Sequence, residues 1–283
     1  MTGGLRWVKG HGTENDFLLL PDPEAMLDLR PELVRALCDR HAGIGADGVL
    51  RMVPSADHPD GVPMAGQAEW FMDYRNADGS PAEMCGNGIR VSARYLVDAG
   101  LADPGELRVA TRDGAKTVWL DRAGDVTVDM GEPTLLEARP AVGSTAGVAV
   151  SMGNPHVVVP LDDGDAGLAS LAELDLSRPP VVAPALPQGQ NVEFVVRTGA
   201  RALRLRVHER GVGETRSCGT GVCAAVVATI HSDRSGRAEA WTVDLPGGRL
   251  SVVWTEAGPV LLTGPAVLVA EGELRDGWPA TRD

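Results

Sequence analysis

Two stretches, "EMCGNGIRVSARYL" at 83–96 and "RSCGTGVCAAVVA" at 216–228, each set a cysteine before Gly-x-Gly and run on into a helix of small and apolar residues. Asn76 precedes Cys85 by the same interval as Glu209 precedes Cys218. A second pair repeats further upstream, where "GTENDFLLL" and "GNPHVVV" both read as glycine turn, polar pair, apolar strand. A chain that repeats its turns in this order folds as two copies of one supersecondary plan. Its 283 residues are too many for one ordinary core and suit two domains.

Hydrophobic periodicity fills in the copies. In the first half, strands are expected at 5–9, 17–20, within "ADGVLRMV", and at 68–74, 106–111, 115–121 and 125–130; helices are expected in "PELVRALCDR" and over 87–98. In the second, "GVAVSMGNPHVVVP", "NVEFVV" and "ALRLRVHER" read as strands, and 165–172 and 219–231 as helices. Strands at 238–244, 249–255, 259–263 and 266–271 complete the pattern. The Pro/Gly-rich stretch 54–67 reads as a polar, mobile loop. The fold class is therefore α/β (α+β) with many strands, one central helix per half and two similar lobes. The boundaries are 1–118, completed by a strand from 264–278, and 119–263. A site built from equivalent parts of both lobes is expected in the cleft between them.

Charge and cysteine usage narrow the function. A net charge of −13 argues against nucleic acid and anionic membrane as partners, since both need clustered positive charge. No apolar run approaches the roughly 18 residues that cross a bilayer, and the start has no secretory pattern, so the chain is expected in the cytoplasm. Four cysteines in a chain of this length are no disulfide framework. Cys38 and Cys223 lie in helical patterns and read as buried apolar residues. Cys85 and Cys218 sit at turns.

A cysteine at a helix N-terminus has its thiolate favoured by unpaired N–H groups and the helix dipole. Those N–H groups also make a carboxylate site. Two such helix ends meeting around one carboxylate would put a sulfur on each face of the attached carbon. That arrangement suits inversion at an amino-acid α-carbon, one thiolate taking the proton and the opposite thiol giving one back. Pyridoxal phosphate would need a lysine. The lysines here are Lys9 and Lys116, neither in a context that recommends a Schiff base, so a cofactor-free reaction fits better. A dithiol redox protein would carry Cys-x-x-Cys, which is absent, and a zinc module would need a second pair of ligands near Cys218 and Cys223. No metal is expected.

The motifs "GTENDF", "GIGADGVL", "NADGSPAEMCGNGIR", "SMGNPHVVV", "NVEFV" and "ERGVGETRSCGTG" together resemble the diaminopimelate epimerase family along nearly the whole chain. The resemblance implies two pseudo-symmetric lobes, each a mostly antiparallel strand barrel wrapped round a central helix. It implies cofactor-independent interconversion of LL- and meso-2,6-diaminoheptanedioate for lysine and peptidoglycan precursors, in a homodimer whose partner is otherwise only its small-molecule substrate. Cys85 and Cys218 match the family's proton donor and acceptor. Gly86, Asn87, Gly219 and Thr220 match the backbone cradle for the reacting carboxylate. Asn15, Asn76, Asn154, Asn191, Glu209 and Arg210 match its substrate contacts, and His156 and Glu209 the residues that tune the sulfurs. Arg210 suits a second, distal carboxylate through its planar fork. Related proline racemases carry His after the first Cys-Gly, where this chain has Asn87. Some members carry Gln where this chain has Gly48, so that contact is expected to be lost or supplied elsewhere.

Overall fold

The computed structural model describes residues 4–275 and 277–278. Through the first half run β1 (Arg6–Gly12), β2 (Asn15–Pro21), α1 (Pro31–Cys38), β3 (Gly48–Pro54), β4 (Trp70–Asn76), α2 (Gly86–Asp98), β5 (Gly105–Thr111), β6 (Gly114–Leu120) and β7 (Val126–Asp129). Next come β8 (Thr134–Leu135), β9 (Ala141–Val142), β10 (Thr145–Ala146), β11 (Val148–Ser151), β12 (Pro155–Pro160), α3 (Gly164–Glu173), β13 (Val182–Ala183) and β14 (Asn191–Gly199). The remainder is β15 (Ala202–Glu209), β16 (Gly213–Thr215), α4 (Gly219–Asp233), β17 (Trp241–Leu245), β18 (Gly248–Trp254), β19 (Val260–Gly264) and β20 (Val267–Glu273).

The chain divides into two compact units. One extends to Val128 and takes up the chain again from Pro265; the other is Asp129–Gly264. The boundary expected at 118/119 falls inside β6, whose pairing with both β5 and β7 carries the first unit further.

Both units obey one pairing grammar. In the first, β20 and β2 flank β1 antiparallel, β2 runs parallel to β3, β3 antiparallel to β4, β4 parallel to β5, and β5, β6 and β7 are antiparallel neighbours. In the second, β8 and β12 flank β11 antiparallel, and β12 runs parallel to β14. Then β14 is antiparallel to β15, β15 parallel to β17, and β17, β18 and β19 are antiparallel neighbours. Each sheet curls round one helix: α2 touches β1 through β6 and β20, and α4 touches β11, β12, β14, β15, β18 and β19. The fold is thus α+β, with mostly antiparallel strands round a central helix in each unit.

A helix enclosed by strands must be apolar or small on every side. Nearly all of α4 from Gly219 to Ile230 is buried, although its valines are poor helix formers; packing overrides propensity. The parallel pairs are covered on their other face as well. Val34, Leu37 and Cys38 of α1 pack with Leu18, Leu20 and Val49, and Leu171 of α3 packs with Val157, Val159, Phe194 and Val196. Consequently β3 and the first six residues of β14 are buried on both faces, as parallel strands usually are.

The 54–67 stretch is more ordered than its composition predicts. It forms two short 3₁₀ turns, Ser55–Asp57 and Val62–Met64, and buries Ser55 and His58. His58 stacks on Phe71, and Arg112 bridges Asp60 of this stretch to fully buried Asp73. Among the described residues no helix is long and apolar enough to cross a membrane.

Candidate active site

Both turn cysteines sit immediately before a helix. Cys85 is the N-cap of α2, with φ −139° and ψ 121°, and Cys218 the N-cap of α4, with φ −128° and ψ 110°. Each helix starts on the glycine that follows, so Gly86, Asn87, Gly219 and Thr220 supply first-turn N–H groups that have no partner within their helix.

In the first unit, Asn15 stands at the centre of a hydrogen-bonded group. Its Oδ1 accepts from Asn87 Nδ2 at 3.0 Å and from the Cys85 thiol at 3.6 Å, while its Nδ2 donates to Asp47 Oδ2 at 2.8 Å. Asn87 is fixed from behind by Arg90, which is fully buried and donates to Asn87 Oδ1 at 2.9 Å and to the Gly86 carbonyl at 3.1 Å. Sequence reasoning passed over both Asp47 and Arg90. The signal for Arg90 was an arginine on a helix that must be buried all round. Asn76 ends β4, where its side chain donates to Ser80 Oγ at 3.1 Å; it does not join the Asn15 group.

Asn76 pairs in register with Gly48. A Cβ at Gly48 would lie 2.6 Å from the Arg75 carbonyl oxygen and 2.8 Å from the Tyr74 ring. The close approach of β4 leaves no room there for a side chain, so the contact that some relatives make from this position is not available at Gly48.

In the second unit, the Cys218 sulfur lies 3.5 Å from Thr220 Oγ1, and its thiol donates to the Glu209 carboxylate. Asn154 Nδ2 donates to Thr220 Oγ1 at 3.4 Å, and Asn154 Oδ1 lies 2.9 Å from His156 Nε2. His156 is fully buried, and its Nδ1 lies 2.7 Å from Oε1 of Glu193, which is also fully buried. His156 thus reaches the sulfur only through Asn154 and Thr220. Glu193 was missed in the sequence reading, although an acid inside the apolar run "NVEFVV" was its visible signal. Asn191 Oδ1 accepts from the Arg210 N–H at 2.9 Å. The Arg210 guanidinium is exposed, donates to the Gln188 carbonyl and has no carboxylate partner among the described residues. His208 turns away from this group and bonds the Leu176 carbonyl at 3.0 Å.

The electrostatics correct one expectation. A helix N-terminus favours a thiolate, yet burial raises the Cys218 pKa well above the ordinary thiol range, with the charges of Glu209 and Glu193 adding to the rise. Burial also raises the Glu209 carboxyl. The two groups that share a proton are therefore displaced in the same direction, which keeps transfer between them accessible. Cys38, buried at the end of α1, is pushed up to about 11 by that burial. Lys9 is held by Asp16 and the Gly45 carbonyl, and Lys116 by Asp113 at 2.7 Å. Among the described residues no three His, Cys, Asp or Glu side chains converge as metal ligands would. A cleft of about 770 Å³ elsewhere in the second unit, lined in part by Arg139, His231, Arg234 and Trp254, contains none of the residues above.

The family model of diaminopimelate epimerase matches residues 7–136 and 148–269 of this chain. A diaminopimelate epimerase of Streptomyces coelicolor is 53% identical over 290 residues, covering 98% of both chains. That of Thermobifida fusca is 50% identical over 281 residues, covering 96% of this chain and 98% of its own. Among solved structures, a PhzF-family phenazine biosynthesis protein of Bacillus anthracis superposes with a TM-score of 0.69 at 15% identity, covering 96% of this chain and 99% of its own. A probable proline racemase of Agrobacterium radiobacter gives a TM-score of 0.68 at 19% identity, covering 98% and 94%. At these identities the two structures speak for the fold alone.

Proposed function

This chain belongs to the diaminopimelate epimerase family, and on that premise we propose that it interconverts LL- and meso-2,6-diaminoheptanedioate in lysine biosynthesis, with Cys85 and Cys218 as its two proton-transfer groups. The observation that carries this reading is the duplicated N-cap cysteine: two units of one plan, each with a cysteine in the same extended conformation at the start of its enclosed helix.

In this reading both helix starts address one substrate carboxylate. First-turn N–H groups of Gly86, Asn87, Gly219 and Thr220 stabilise the negative charge that spreads onto the carboxylate as the α-proton leaves. One sulfur, as thiolate, removes the proton from one face, and the other, as thiol, delivers its own to the opposite face. The net change is inversion, with the two sulfurs exchanging protonation states. Glu209 takes up and returns the Cys218 proton, which its raised pKa supports. Arg210 pairs its unmatched guanidinium with the distal carboxylate, and Asn15, Asn76, Asn154 and Asn191 read the remaining polar groups. No step calls for a cofactor. Proton transfer by two reduced thiols needs a reducing compartment, and we accordingly place the chain in the cytoplasm. A homodimer follows the family resemblance and is tested by sedimentation.

The direct test is conversion of LL-diaminopimelate by the purified chain without added cofactor, alongside Cys85→Ala and Cys218→Ala. Both variants should lose epimerisation entirely. Full activity in either would overturn the two-cysteine reading.

A further inference from the structure

Glu193 is buried in the middle of the second unit with one carboxylate oxygen bonded and the other not. Oε1 lies against His156 Nδ1 at 2.7 Å, whereas Oε2 has no hydrogen-bond partner among the described residues. A half-satisfied buried carboxylate is costly, and a neutral acceptor would orient a neutral imidazole equally well. What a carboxylate adds is charge.

Hydrogen-bond directions show where that charge acts. A carboxylate only accepts, so His156 Nδ1 carries a proton toward Glu193. Nε2 faces the oxygen of the Asn154 amide, which also only accepts, and the Asn154 nitrogen faces Thr220. With this orientation His156 carries a proton on both nitrogens. Thr220 Oγ1, already accepting from Asn154, is left with its own proton to give to the sulfur 3.5 Å away. Were His156 neutral, Nε2 would accept instead. The amide would turn over, and the Thr220 proton would be drawn toward Asn154 and away from Cys218.

We propose that Glu193 is a positioning residue for Cys218: it holds His156 doubly protonated, and the Asn154 amide passes that state to Thr220, whose hydroxyl then donates to the Cys218 sulfur. The proposal rests on reading Cys218 as one of the two proton-transfer groups. When Glu209 takes the thiol proton, the sulfur left behind already has a donor in Thr220. The charged groups that face Cys218 are Glu209 from β15 and Glu193 from β14, and His156 of β12 is paired with the latter. Alone, the charge of Glu193 raises the Cys218 thiol; the proton that Glu193 holds on His156 offsets that charge, so the pair is neutral as a whole. Replacing it by Gln and a neutral imidazole leaves the net charge near Cys218 unchanged and alters mainly the hydrogen-bond direction.

The test follows iodoacetamide alkylation of Cys218 against pH, read by peptide mass, in the full chain and in Glu193→Gln, Thr220→Val and the double variant. Glu193→Gln should raise the alkylation midpoint by about one pH unit or more, and Thr220→Val should do the same. The double variant should move no further than either single one. In turnover, Glu193→Gln should lower kcat at least about tenfold while KM stays within about twofold. An unmoved midpoint overturns the proposal, as does a Glu193→Gln shift that persists in full when Thr220 is Val. A second measurement uses the unaltered chain. Side-chain ¹⁵N resonances of His156, assigned with His156→Gln, should show two protonated ring nitrogens at neutral pH, and a neutral ring overturns the idea. Neither alkylation nor resonance requires turnover, so their failure is separable from failure of the epimerase reading, which Cys218→Ala tests.

Discussion

Gly221 stands in the first turn of α4, just beyond Cys218 and Thr220. Replacing a helical glycine by alanine ordinarily stabilises a protein by about 1 kcal/mol. Here the new Cβ would lie 2.6 Å from Glu193 Oε1 and 3.2 Å from both Cδ and Cγ of the same side chain. The carboxylate has no free direction in which to retreat, being fully buried and bonded to His156 at 2.7 Å. Either the helix start moves by some tenths of an ångström or the carboxylate lets go of the histidine. Overpacking of the first kind costs about 1–3 kcal/mol, and breaking a buried pair about 3–5 kcal/mol. The cheaper route governs, so after the propensity gain the net loss is about 0–2 kcal/mol. Catalysis should suffer far more, because Cys218 caps the turn that moves, and a displacement approaching 1 Å can lower a rate about a hundredfold. The assay pairs thermal melting with kcat for Gly221→Ala. We expect kcat to fall about a hundredfold with a melting temperature lowered by a few degrees at most. A higher melting temperature with kcat within twofold of the unaltered chain would refute the packing of Gly221 on Glu193.

Arg210→Ala should lower kcat/KM for diaminopimelate by about tenfold to a hundredfold, from the roughly 1.5–3 kcal/mol of a charge-assisted hydrogen bond. Arg210→Lys should recover little of this, since it keeps the charge and loses the fork; a twofold or smaller effect of Arg210→Ala would remove it from the site. Asp16 is lowered to about 2: burial works against this, but its bonds to Arg40 and Lys9 outweigh it. A depressed carboxylate contributes stability above its unfolded pKa near 4 and loses it as pH falls through its folded value near 2. The full shift corresponds to about 2.5 kcal/mol, reduced to about 1 kcal/mol by the partial exposure of the group. Urea melts of Asp16→Asn should therefore show a deficit of that size at pH 7 that shrinks between about pH 4 and pH 2; a deficit independent of pH would contradict the Lys9–Asp16–Arg40 link.

The duplicated plan was legible because it rests on local signals. Glycine after each cysteine frees the turn, the small residues beyond it tolerate enclosure, and α4 begins at Gly219 as read, α2 one residue early at Gly86. Glu193 showed in the sequence only as an acid inside an apolar run. Val192 and Phe194 flank it in a run that reads simply as a strand, and its burial comes from α3 and α4 packing on β14, a tertiary fact. The same holds for 54–67: its prolines and glycines predicted a free loop, but Asp73, fully buried on β4, anchors it through Arg112 and His58. The thiolate expectation at Cys218 failed for a related reason. Sequence announces a helix N-terminus, whereas the burial of the sulfur, and the charges of Glu209 and Glu193 that add to its effect, come from strands elsewhere in the chain.

The central claim is that two different groups serve the two faces of one α-carbon. Deuterium uptake during the first turnovers in heavy water tests it most directly, starting separately from LL- and from meso-diaminopimelate. If one sulfur removes the substrate's proton and the other, already exchanged with solvent, delivers from the opposite face, each epimer formed carries one deuterium at the inverted carbon. The starting isomer recovered at early times stays unlabelled. Product that keeps the substrate's own proton would contradict the account, because only a single group working on both faces can return it.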